Sequence, residues 1–161
     1  MNTQEPYSFS QLLNEYEFKT ENGILYSVKF SDGAFMFAGL PPHIPIFEVS
    51  INVLELGDKS SPPQDLQAES TIVSIFRSFL SEHENSIVYV CDNLDNKQAA
   101  RNRKFEAWFQ RNKSADIEKY DTYFTVESIE IYASLIIHVH NSFKTELISI
   151  FLNQQNEYDK E

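Results

Sequence analysis

The chain has 161 residues, thirteen Phe and eight Tyr among its 42% hydrophobic side chains, a single cysteine and a net charge of −11. That length predicts one domain with its own core over residues 1–161, with 1–6 and 153–161 as mobile ends, and the lone cysteine excludes an internal disulfide framework. The acidic balance argues against nucleic-acid binding; there is no apolar run of about 18 residues to span a membrane and no charged-then-apolar start to direct secretion, so a cytoplasmic protein is expected.

Taken in order, Ser8–Leu13 reads as a short helix capped by Ser8 or Ser10, and Tyr16–Thr20 as a strand. Glu21-Asn22-Gly23 carries the strongest hairpin signal, because Asn-Gly accepts positive φ. Ile24–Phe30 alternates apolar and polar, as a half-buried strand does. Ser31-Asp32-Gly33 is a second turn, Ala34–Ala38 a short apolar segment, and Gly39–Pro45 a connection with three prolines. Ile46–Leu56 is a long alternating strand that completes an antiparallel meander. After the linker Gly57–Asp65, the stripe Ile72, Ile75, Phe76, Phe79 and Leu80 predicts a helix over Leu66–His83.

The most unusual stretch follows. Ile87–Cys91 is apolar at every position, as a strand covered on both faces must be. Asp95 is placed to cap the next helix, with Gln98 completing a capping box. That helix, Lys97–Asn112, puts Phe105, Trp108 and Phe109 on one stripe, with Arg101 one turn before Phe105. Arg101 is thus expected at the packed edge, clasped by Asp92 or Asp95. The alternative is an anion held by free N–H groups at the helix N-terminus, with Asn93, Arg101, Arg103 and Lys104 near it. Residues 97–113 hold six of the thirteen basic residues and, of the acids, only Glu106. They form either a solvated face or a partner-binding one.

Beyond Lys113, strands are expected over Tyr120–Val126 and Ile131–His140, joined by the loop Glu127–Glu130. A helix over Phe143–Leu152 and a polar tail close the chain. His138 and His140 share a strand face, but no third metal ligand is marked. Cys91 reads as a buried structural cysteine and His43 as an isolated loop residue.

The predicted class is therefore α+β: a mostly antiparallel sheet with one parallel crossover, two main helices and a C-terminal helix. This order resembles the core of the Gcn5-related acetyltransferases over about Tyr16–His140. The resemblance implies an acyltransferase-like scaffold with acetyl-coenzyme A as donor, its pyrophosphate on a glycine-rich turn before the first crossover helix. Here that turn is Gly57–Gln64, where Pro62 and Pro63 lack N–H groups. The family's later helix often carries an Asn and then a Tyr acid. Asn93 or Asn96 stands for the first, and Arg103 or Phe105 stands where the second would be. The segment Cys91-Asp92…Gln98–Phe105…Trp108-Phe109 is also similar to the signature of an uncharacterised bacterial family, known as a domain of unknown function.

Two functions follow from these features. The first is a non-catalytic module that binds a protein partner or a second copy of itself, with no cofactor. The second is a divergent acyl-coenzyme A-dependent N-acyltransferase, which requires the Ile46–Leu56 and Ile87–Cys91 strands to part.

Overall fold

The computed structural model describes residues 4–58, 62–91 and 96–158. Seven strands form one sheet: β1 (Phe9–Leu12), β2 (Glu15–Lys19), β3 (Leu25–Asp32), β4 (Phe47–Glu55), β5 (Ser86–Cys91), β6 (Ile117–Val126) and β7 (Ile129–His138). Their order is β1-β2-β3-β4-β5-β7-β6. Every neighbouring pair is antiparallel except β4 and β5. Helix α1 (Leu66–Leu80) makes the crossover between those two, α2 (Gln98–Arg111) follows β5, and α3 (Lys144–Tyr158) follows β7. This is the α+β arrangement, mostly antiparallel with one parallel crossover, that the order of elements predicts.

The apolar residues divide between the two faces of the sheet. Tyr16, Phe18, Phe30 and Val49 pack under the α1 stripe Ile72, Ile75, Phe76 and Phe79 and under Phe105 of α2. On the other face Val88, Ala133, Leu135 and Ile137 meet Leu147 and Phe151 of α3 and Phe37 and Ile44 of the β3–β4 connection. β5 is central and covered on both sides, which is why its sequence runs apolar without alternation, and β7 beside it is buried from Ala133 to His138.

Several local expectations are corrected. Residues Phe9–Leu12 form a strand, not a helix, paired from Phe9↔Phe18 to Leu12↔Glu15. So short a helix does not repay its nucleation, whereas the hairpin sets Phe9 edge-on to Tyr16. The β6–β7 connection is a two-residue turn, Glu127-Ser128, both at positive φ, instead of a four-residue loop. This geometry matches the twist of a hairpin. α2 starts one residue past Lys97, its N-cap, so Gln98 is the first helical residue and makes no capping box. The proposed cap Asp95 lies outside the described residues. α3 runs to Tyr158, through most of the tail expected to be mobile.

One glycine positions the site. A Cβ on Gly33 would meet the Glu48 nitrogen at 2.9 Å and Val88 Cγ1 at 3.1 Å. Only a bare Cα lets the end of β3 lie this close to the place where β4 and β5 join.

Candidate functional site

β4 and β5 pair at two positions only, Phe47↔Ile87 and Glu48↔Val88. Above them the strands part. Each stays paired on its outer side: β4 with β3 up to Leu25↔Glu55, and β5 with β7 up to Cys91↔Tyr132. The inner edges of both strands therefore carry backbone N–H and C=O groups that the sheet does not pair across the gap, which is the requirement for receiving an extended ligand. A register shift between Leu25 and Tyr26 bulges β4 beside the gap, where Val53, Leu54 and Leu56 are exposed apolar side chains.

The β5 wall is completed from α2. Tyr89 stacks on Phe105, ring centroids 4.2 Å apart. Burial, followed by the neighbouring Cys91 thiol, raises the Tyr89 hydroxyl pKa above its usual value, and Arg101 partly offsets this. The hydroxyl is therefore a donor throughout the neutral range. Arg101 is half-buried at this edge, as its place on the helix stripe predicts. Its expected carboxylate partners Asp92 and Asp95, and Asn93 with them, lie outside the described residues. Cys91 is buried. Gln98, two turns before Phe105 on the same stripe, is buried, and its Oε1 has no hydrogen-bond partner. A buried acceptor left without a donor costs about 1–3 kcal/mol.

The N-terminus of α1 is closed by the chain itself. Asp65 Oδ1 accepts the N–H groups of Gln67 and Ala68 at 2.9 and 3.1 Å. Its other oxygen accepts the Tyr7 hydroxyl at 2.9 Å. Beside this cap lies a polar cavity of about 300 Å3, lined among others by Tyr26, Gln64, Asp65, Glu69, Lys104 and Arg111. The structure thus brings Lys104 to the α1 N-terminus, while Arg103 stays on the exposed outer face of α2.

Two side chains that sequence reasoning passed over hold this frame. Glu69, on the buried face of α1, is 2% exposed. It receives Arg111 Nε at 3.2 Å, the Arg111 Nη2 atom, and Asn112 Nδ2 at 3.1 Å. α2 is also tied to β6, through an ion pair between Glu106 and Lys119. A Glu interrupting the apolar stripe Ala68, Ile72, Ile75 was the available sign, and a buried carboxylate demands a cation.

The third histidine is His83, beyond the end of α1. Its ring stacks on His138 at 3.7 Å, and His140 lies 5.4 Å from His138. His138 is buried. Among the described residues no group of His, Cys, Asp or Glu is arranged to hold a metal ion. The cluster instead makes stability depend on pH. His138 Nδ1 accepts the His140 N–H at 3.0 Å, and Asp116 lies 3.8 Å from Nε2. Burial, then His83, then His140 lower the His138 pKa, against the pull of Asp116. The folded chain resists a proton that the unfolded chain takes near pH 6.5, so this contribution is complete above that pH and is lost as pH falls through the folded-state value. Denaturant midpoints should fall between about pH 7 and 5.5. A His138→Gln chain should show a smaller fall, and an equal one would contradict the account.

No helix among the described residues is long and apolar enough to cross a membrane. A solved structure similar to this chain is that of a CoA-dependent acyl-homoserine lactone synthase, MesI, with 15% identity, 87% of this chain and 71% of that one covered, and a TM-score of 0.38. No curated protein matches the chain. A family model described as "Family of unknown function (DUF6169)" matches residues 64–153, from the turn before α1 into α3. The match covers more than half of the chain and contains the Gln98–Phe105 and Trp108-Phe109 segment. The protein therefore belongs to that family of unknown function.

Proposed function

We propose that the protein transfers an acyl group from a thioester whose extended arm lies between β4 and β5. The observation that carries this reading is the parting of the two strands after two paired positions, with both outer pairings kept. An amide-bearing arm laid along the gap meets backbone groups that β4 and β5 do not pair with each other, and Gln98, at the start of the helix that follows β5, has a buried side-chain oxygen with no partner among the described residues. In the reaction an acceptor amine forms an N–C bond to the acyl carbon, the C–S bond breaks, and the proton lost by nitrogen ends on the thiol.

The non-catalytic reading, a partner-binding module on the same scaffold, is favoured by one observation. Where the resemblance implies a tyrosine acid, Arg103 is exposed and Phe105 is buried against Tyr89.

Thermal unfolding with S-acetylpantetheine and with acetyl-coenzyme A tests the cleft. A hundredfold excess over Kd stabilises by about 2.7 kcal/mol, roughly 5–10 °C for a chain of this size. No shift with either compound at millimolar concentration would retire the reading. Binding without thiol release in the presence of a panel of amines would leave the partner-binding module.

A further inference from the structure

We propose that a cavity between α1 and α2 binds a short-chain carboxylate, with the alkyl chain inside and the charge on Arg77 at the mouth. This site lies on the helix side of the sheet, and it stands whether or not a thioester enters between β4 and β5.

The interior of the site is apolar. α1 and α2 are joined through Glu69, which receives Arg111 and Asn112, and through Phe76, whose ring centroid lies 6.2 Å from that of Phe105. A space of about 60 Å3 bounded by Phe76, Phe105 and Asn112 stays open between the helices and the sheet. Its inner wall is made by the buried side chains of Ile72, Leu80 and Ile136, and half-buried Trp108 lines it from α2. Such a wall offers water no hydrogen bonds, and each carbon brought against it regains dispersion contacts that a void forfeits. An enclosed apolar cavity of about 150 Å3 takes a benzene ring. The smaller space here suits an unbranched chain of a few carbons.

The mouth carries a charge. Arg77, in the last turn of α1, lines the cavity and is exposed to solvent. Its Nη2 donates to the Asn112 carbonyl at 2.9 Å, the one hydrogen bond this side chain makes among the described residues. That bond ties the guanidinium to the end of α2 and leaves its other N–H groups for a ligand. Asn112 has no N–H to spare: its main-chain N–H goes to the Trp108 and Phe109 carbonyls, and its side-chain nitrogen to Glu69 and the Trp108 carbonyl. Of the acids on the flanking elements, Glu69 is met by Arg111 and Glu106 by Lys119, while Asp116 lies beside His138 with its side chain 62% exposed to water. Arg77 is thus the group that a ligand head meets. One guanidinium balances a single negative charge, and its planar fork fits a carboxylate as it cannot fit an alcohol.

The test is titration of the full chain at pH 7 with butanoate, hexanoate and 1-hexanol, followed by the fluorescence of Trp108, the single tryptophan of the sequence and a wall of the cavity. Hexanoate should change the signal saturably and bind about tenfold more tightly than butanoate, each methylene taken from water being worth about fourfold. It should also bind about tenfold more tightly than hexanol, the worth of a charge-assisted hydrogen bond. Arg77→Gln should remove the advantage over hexanol. Val73→Phe, at a half-buried position lining the cavity, should fill the space, weaken hexanoate at least tenfold and leave the melting temperature unchanged or higher. Hexanol binding as tightly as hexanoate would overturn the proposal, as would an Arg77→Gln chain that keeps the advantage. So would a folded Val73→Phe chain that binds hexanoate unchanged, or no saturable response to hexanoate at millimolar concentration. Where Val73→Phe does not fold, Arg77→Gln, at an exposed position, decides the matter alone.

Discussion

Arg111→Ala is expected to destabilise the protein by about 2–4 kcal/mol, or roughly 5–15 °C in melting temperature. The substitution leaves the Glu69 carboxylate, 2% exposed, without its cation inside the α1–α2 interface. Removing one partner of a buried pair costs about 3–5 kcal/mol. The lower range applies here because the Arg111 side chain is 39% exposed, so water reaches one side of the pair, and because Asn112 remains bonded to Glu69. Arg111→Lys should recover only part of the loss, since an ammonium cannot replace the guanidinium nitrogens that reach this carboxylate from two positions. The double change Glu69→Leu/Arg111→Met should be more stable than Arg111→Ala, because no charge is then left buried. A double change as unstable as the single one would show that packing, not charge, holds the helices together.

Phe30→Ala should cost about 3–5 kcal/mol. Phe30 sits in β3 at 2% exposure and stacks on Phe79 of α1 with ring centroids 3.9 Å apart. Phe76 and Tyr16 meet it edge-on, each at 5.9 Å. These rings join the second half of α1 to β3, so their loss also loosens the seat of that helix on the sheet. Phe30→Leu keeps most of the buried area and should lose about half as much, the aromatic pairs being worth about 0.5–1.5 kcal/mol each beyond burial. Chemical denaturation of both variants checks the ratio; equal losses would mean that ring stacking carries the whole contact.

The fold was largely open to sequence reading because its periods are strong. The alternation in Ile46–Leu56, the unbroken IVYVC run and the stripe Ile72–Leu80 each allow one packing, and together they give the crossover. What stayed hidden has a common cause: it depends on which residues the fold brings together across long sequence separations. Glu69 and Arg111, forty-two positions apart, look like ordinary helix surface until α1 and α2 are laid side by side. His83 joins His138 only because α1 ends beside the end of β7. Asp65 was read as the end of a linker, although its spacing to Gln67 and Ala68 is that of an N-cap. The β1 hairpin was missed because helix and strand propensities are close in so short a segment, and pairing with Tyr16 and Phe18 decides the outcome. For the site, Arg101 is half-buried, as its place on the helix stripe predicts, whereas the approach of Lys104 to the start of α1 has no sign in the sequence. Gln98 was given a capping role that the start of α2 at Gln98 removes.

Amide hydrogen exchange along β4, resolved residue by residue, tests the gap most directly. In the ligand-free protein, amides between Ser50 and Glu55 should alternate: those turned toward β3 slow, those turned toward β5 fast, since β5 pairs with β4 no further than Glu48. S-acetylpantetheine should slow the fast set and leave the other unchanged. Uniform protection across Ser50–Glu55 without ligand would mean that the strands are closed and no arm enters between them.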